Sequence, residues 1–158
     1  MTSLWRRLDV QGGAGIGYFA KERANGRSNH GDTTMPMEEN KAIVRRFLEA
    51  LDQQDFDALK EHPGLHQTVA RQPSVRAAFP DLQTTIEHQI AEGDTVATRA
   101  TLRGTHLGAL FGVAPTNQKL TWSVLLMDQI VDGKIVLHHA NADWMSVLIK
   151  LGVISPPR

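Results

Sequence analysis

The sequence predicts an α+β domain that begins near Met37, with helices in its first half and an antiparallel sheet in its second. Three observations predict it. Apolar residues recur at helical spacing from Met37 to Gln53, and a period of two takes over from Thr84. Asp132-Gly133, the strongest short hairpin signal in the chain, then divides two long apolar-rich runs. Helices followed by strands is the α+β order, not the alternation of βαβ units.

Residues 1–36 carry Gly12, Gly13, Gly15, Gly17, Gly26 and Gly31 among scattered Arg and Asn, with no sustained period. They are expected to form a flexible, disordered extension, with Met35 or Met37 as a candidate natural start. Arg6, Arg7, Arg23 and Arg27 leave a targeting peptide as the alternative. The run Gly12-Gly13-Ala14-Gly15-Ile16-Gly17 does not fit the dinucleotide spacing and lacks a phosphate-loop Lys, so it is not read as a nucleotide site.

From Met37 to about Gln53 the helix is justified by Pro36 at its start, by Glu38 and Glu39 at its positive end, and by Ile43, Phe47, Leu48 and Leu51 on one face. Asp55 caps a short second helix holding Phe56 and Leu59, which Pro63-Gly64 stops. A third helical piece, begun or kinked at Pro73, ends near Phe79. Thr84 to Ala91 and Thr95 to Arg103 read as one hairpin through Gly93-Asp94, and Leu120 to Val131 and Lys134 to Asp143 as a second. A C-terminal helix follows from Trp144 to Leu151, ended by Gly152. Residues 37–158 are thus read as one domain.

Composition excludes several classes of function. Lys plus Arg equals Asp plus Glu at 17 each, so no overall field attracts nucleic acid or an anionic membrane. There is no cysteine, hence no disulfide, thiol nucleophile or thiolate metal site. No run of apolar residues is long enough to span a membrane, and a cytoplasmic location is the default expectation.

Uninterrupted pairing outward from Asp132-Gly133 sets Val131 opposite Lys134, Leu126 opposite His139, Val124 opposite Asn141 and Trp122 opposite Asp143. Period-two alternation then puts Asp143, Asn141 and His139 on one face with Trp122, Val124 and Leu126. Polar groups against an apolar wall suit a pocket for a small hydrophobic molecule, with Phe47 and Phe79 added to its binding set. Desolvation there would raise the pKa of Asp143 toward the range of a general base, with Asn141 or His139 holding substrate. The opposite face, with Leu125, Met127, Val136, His138 and Ala140, is also largely apolar and predicts a homodimer.

Plainer roles stand beside these. Asp143 also suits the N-cap of the helix that starts at Trp144. His138 and His139 point to opposite faces and cannot chelate together, so no metal is expected. His88, facing Arg99 if Glu92 pairs with Thr95, reads as a surface or dimer residue rather than a catalyst. His106, within Gly104-Thr105-His106-Leu107-Gly108, is read evenly as a catalytic group over the pocket mouth or as part of a turn.

An ordered series of short motifs then resembles the SnoaL-like polyketide cyclases of the nuclear transport factor 2-like superfamily. It comprises Ala78-Phe79-Pro80-Asp81-Leu82, Ile90-Ala91-Glu92-Gly93-Asp94, Arg103-Gly104-Thr105-His106, Phe111-Gly112 with Pro115-Thr116, Asp132-Gly133-Lys134-Ile135, and Leu148 to Val153. The resemblance implies a cone-shaped, curved antiparallel sheet wrapped by helices around an apolar cavity, usually dimeric and needing no cofactor. It also implies that Asp143, at the family's position near the end of the last strand, is the base of an intramolecular aldol closure. Leu137 departs from the family's Glu, His139 from its Trp and Asn117 from its Gly. The segment from Leu59 to Phe79 looks short, which implies a shallower or more open pocket. Two functions follow as expectations: a cofactor-independent cyclase or isomerase acting on a ketone or ester, or a non-catalytic ligand holder or dimeric scaffold of the same fold.

Overall fold

A computed structural model describes residues 37–155. The readings of residues 1–36 and of the last three residues lie outside this range. Helix α1 spans Met37–Gln53 and buries Ile43, Val44, Phe47, Leu48 and Leu51, the stripe its apolar period predicts. A short helix α2, Phe56–Leu59, is capped by the Asp55 carboxylate, which accepts from the Ala58 N–H as expected. A single 3-10 turn, Pro63–Leu65, leads into α3, His66–Ala78. Pro73 therefore neither begins nor ends this helix but sits inside it. The 3-10 turn delivers the chain directly into α3, whose first residue is preceded by Leu65 with no capping side chain.

Strands β1 (Gln83–Glu92), β2 (Thr95–Thr105), β3 (Lys119–Val131) and β4 (Lys134–Ala142) form one antiparallel sheet in sequence order, and α4 spans Trp144–Lys150. On β3 the inward residues Leu120, Trp122, Val124, Leu126, Asp128 and Ile130 are buried, and the residues between them are exposed or nearly so. The α1 stripe packs on Val96, Ala100, Val124, Leu126 and Ile135. A second cluster gathers Phe79, Leu82, Leu110, Leu120, Trp122 and Val147 under α4. At the far hairpin His88 faces Arg99 and Glu92 faces Thr95, as expected.

The second hairpin departs from its expected register, and the departure moves the site. Asp132 and Gly133 both have positive φ, 49° and 74°, as a type I′ turn requires. Val131 does pair with Lys134, and Ile130 with Ile135. Gln129, however, pairs with Leu137, leaving Val136 as an extra residue on β4. Beyond this bulge every β4 side chain lies on the face opposite to that expected. Asp128 faces His138, Met127 faces His139, Leu126 faces Ala140, Leu125 faces Asn141 and Val124 faces Ala142. His138 and Ala140, expected outside, are thus inside, and His139 and Asn141, expected inside, are outside with the exposed Leu125 and Met127.

The 3-10 turn packs directly on the bulge. β4 is an edge strand, and the 3-10 turn covers it there. Gly64 lies so close that a Cβ on it would stand 2.7 Å from the Leu137 nitrogen and 2.8 Å from the Val136 carbonyl carbon. Beside it, the Ile135 N–H donates to His62 Nδ1 at 3.1 Å. The outward-facing N–H of Ile135 on this edge strand thus has an imidazole as its acceptor.

Candidate functional site

A cavity of about 590 Å³ opens between α1, α3 and the inner face of the sheet. Phe47, Leu48 and Leu51 of α1 form one wall, and Trp122, Val124 and Leu126 of β3 the floor. From β4 come His138, Ala140 and Ala142, successive inward positions. Val75 and Arg76 of α3, Leu110 and Phe111 of the β2–β3 connection, and Trp144 complete the lining. Ala140 and Ala142 leave a shelf of small side chains between the imidazole of His138 and the indole of Trp144.

The chemistry concentrates at His138. Its Nδ1 stands 2.6 Å from Asp128 Oδ1, and the two side chains are 4% and 0% exposed. A carboxylate there takes the Nδ1–H, which makes Nε2 the nitrogen with a lone pair to offer. Phe47 stands edge-on to the ring at a centroid distance of 5.2 Å, limiting its rotation. The arrangement is a carboxylate-oriented imidazole on an apolar cavity wall.

Two further charged groups at the cavity, Arg76 and Asp52, brace it. Arg76 donates to the Leu82 carbonyl at 2.7 Å and to the Leu51 carbonyl at 2.5 Å, tying α3 to the end of α1 and to the residue before β1. Its guanidinium also lies 3.6 Å from Asp52. Asp52 in turn accepts from the Thr84 N–H at 2.8 Å and the Thr84 hydroxyl at 2.9 Å. These contacts hold the rim where α1, α3 and β1 meet.

Of the residues expected at the site, Phe47, Trp122, Val124 and Leu126 line the cavity. The remaining expected residues do not. Phe79 is buried behind the wall, against Trp122 at 5.0 Å and His106 at 5.6 Å between ring centroids. His106 is likewise fully buried, with Nδ1 3.1 Å from the Thr116 hydroxyl, and its backbone bonds to Gln118 and Asn117 close the loop. It holds the turn rather than standing over the pocket mouth, because its ring is enclosed by that loop.

Asp143 caps α4. Its carboxylate accepts from the Ser146 N–H at 3.0 Å and the Ser146 hydroxyl at 2.5 Å. The expectation of a raised pKa is therefore overturned. The Ser146 hydroxyl, then the Ser146 N–H, hold it below the usual carboxylate range; burial opposes them weakly, and Lys150 adds to the lowering.

Sequence reasoning missed Asp128, although a signal was present. It is the single charged residue among the alternate, otherwise apolar positions Leu120, Trp122, Val124, Leu126 and Ile130, and a buried charge needs a partner.

Comparison with known proteins agrees with this architecture. The family model of the SnoaL-like polyketide cyclases matches residues 41–151. A nogalonic acid methyl ester cyclase from Streptomyces nogalater is 35% identical over 79 residues, which is 49% of this chain and 59% of that protein. Among solved structures, AclR of Streptomyces galilaeus, a proposed hydroxylase, superposes with a TM-score of 0.71 at 29% identity, covering 78% of this chain and 87% of its own. IdmH of Streptomyces antibioticus, a proposed polyketide cyclase, gives a TM-score of 0.65 at 28% identity, covering 72% of this chain and 99% of its own.

Proposed function

The chain belongs to the SnoaL-like polyketide cyclase family, and from that premise we propose that it binds a small hydrophobic ketone or ester and removes a proton beside the carbonyl. The observation that carries this reading is the buried His138–Asp128 pair on the cavity wall. In the proposed reaction His138 Nε2 takes the proton, and the electrons of the broken C–H bond pass to the carbonyl oxygen as an enolate. The enolate carbon attacks a second carbonyl of the same molecule and forms the new C–C bond. The resulting alkoxide recovers the proton from the imidazolium, so ring closure consumes no net proton. Reprotonation at another carbon instead gives an isomerisation. Asp128 holds the ring by Nδ1 and stabilises the imidazolium between the two transfers. The relative named for nogalonic acid methyl ester supports an ester-bearing polyketide as substrate.

The reading is tested by following proton exchange of polyketide-like keto esters in heavy water by NMR. His138→Gln is expected to slow exchange by about 10²–10⁴-fold, the usual contribution of a general base. Undiminished exchange in that variant would sink the assignment. A second reading, a passive ligand holder, is favoured by one observation: Asp143, the carboxylate expected to be the base, is committed to capping α4. Tight binding of the same esters with no exchange by the wild type would decide for the holder.

A further inference from the structure

At the tip of the β2–β3 connection, Leu110 and Val113 exchange both backbone hydrogen bonds. The Leu110 N–H donates to the Val113 carbonyl at 3.0 Å and the Val113 N–H to the Leu110 carbonyl at 2.8 Å, an isolated antiparallel bridge. Between them Phe111 and Gly112 have φ of 50° and 82°, as in a type I′ turn. Gly112 adopts this freely. Phe111 does not, because the first central position of such a turn favours Asn, Asp or Gly and a bulky side chain there is strained.

A second cost falls on the same residue. Phe111 is 63% exposed, although its neighbour Leu110 is buried. Backbone strain and an exposed aromatic ring have one common compensation in this fold. Phe111 lines the cavity and stands edge-on to Trp144, with centroids 5.3 Å apart. Trp144 continues the aromatic row inward to Trp122 at 5.7 Å.

We propose that Phe111 is a substrate-binding residue, an aromatic flap on a strained two-residue turn that leaves the edge of Trp144 and lies over a planar, unsaturated part of the substrate. The proposal rests on the reading of the cavity as a ligand site, and it holds whether or not His138 is the base. Strain in the turn narrows the free-energy gap between alternative positions of the flap, so that a modest contact with ligand can move it. The exposed ring face supplies apolar area that is buried only when the cavity is filled.

The experiment titrates the full chain with 2-acetylnaphthalene, a planar aromatic ketone, and with cyclododecanone, a saturated one, following tryptophan fluorescence, together with thermal melts. Phe111→Asn suits the turn and is expected to melt at the same or a higher temperature, while binding 2-acetylnaphthalene about tenfold more weakly. Phe111→Tyr keeps the ring and is expected to bind as wild type does. Wild-type affinity for 2-acetylnaphthalene in Phe111→Asn overturns the flap and leaves the cavity standing. A lowered melting temperature with equal loss of both ketones also overturns it, since the ring would then be a support. If the wild type binds neither ketone, the cavity reading itself fails and the flap falls with it.

Discussion

Asp128 Oδ1 and His138 Nδ1 meet at 2.6 Å across β3 and β4 because Val136 is an extra residue on the second of these strands. Under uninterrupted pairing Asp128 would face Leu137, and a carboxylate would be buried with no partner. The bulge therefore creates the site and gives the buried carboxylate a partner at Oδ1, while Oδ2 has none among the described residues.

That coupling gives the first prediction. Asp128→Leu and His138→Leu should each destabilise the fold by about 3 kcal/mol, since each leaves one buried polar group stranded. The double variant should lose clearly less than the sum, because two apolar groups satisfy each other there. Urea unfolding of the four proteins checks this. Additive losses would mean that the two side chains do not depend on each other.

His62 provides a pH-dependent contribution to stability. Burial pushes its pKa below the usual 6.5; Lys134 and Arg46 lower it further, and Glu61 opposes them. A depressed histidine pKa means that the unfolded chain takes the proton first. The contribution is therefore complete above about pH 6.5 and is lost as pH falls below that value, levelling off under the folded-state pKa. Protonation also places an N–H where Nδ1 accepts from Ile135. His62→Asn offers a carbonyl oxygen in place of Nδ1, so its urea midpoint should fall less than the wild type's between pH 7 and pH 5. Parallel falls in the two proteins would exclude His62 as the source.

Among the described glycines, Gly108 has the least room for a side chain. A Cβ there would stand 2.0 Å from the Ala77 carbonyl oxygen, at the point where the Leu107 and Gly108 N–H groups donate to Ala78. Gly108→Ala should cost about 3 kcal/mol, at the upper end for overpacking, because the obstacle is backbone and not a flexible side chain. Gly104→Ala, whose nearest contact is the Phe79 side chain at 3.1 Å, should cost less. Thermal melts of the two variants check the order.

Much of the fold was legible because its signals are local. The α1 stripe, the Asp55 cap, both hairpin turns and the inward run of β3 follow from spacing within a few residues. The β4 register was not, because no local residue marks the bulge; what packs beside it, Gly64 and His62, is distant in sequence, the His62 bond to Ile135 spanning 73 residues. A one-residue slip exchanges the two faces of a strand. It moved His139 and Asn141 out of the site and brought His138 in. The start of α3 was hidden for a different reason: no capping side chain announces it, and Pro73 reads as a boundary in sequence.

Asp143 and His138 should respond to substitution in opposite ways. Asp143 keeps both oxygens on Ser146, and its lowered pKa means that its contribution to stability is present above the usual carboxylate range and lost as pH falls through the depressed folded-state value. Asp143→Asn retains an oxygen to cap α4 and should leave keto-ester proton exchange near the wild-type rate. Asp143→Ala should lower the melting temperature through loss of the cap, again with exchange retained in the folded fraction. His138→Gln should do the reverse, slowing exchange by about 10²–10⁴-fold while leaving α4 capped. Exchange measured by NMR beside a thermal melt distinguishes these patterns. Loss of exchange in Asp143→Asn with an unchanged melt would return the base to Asp143 and require the end of β4 to rearrange around substrate.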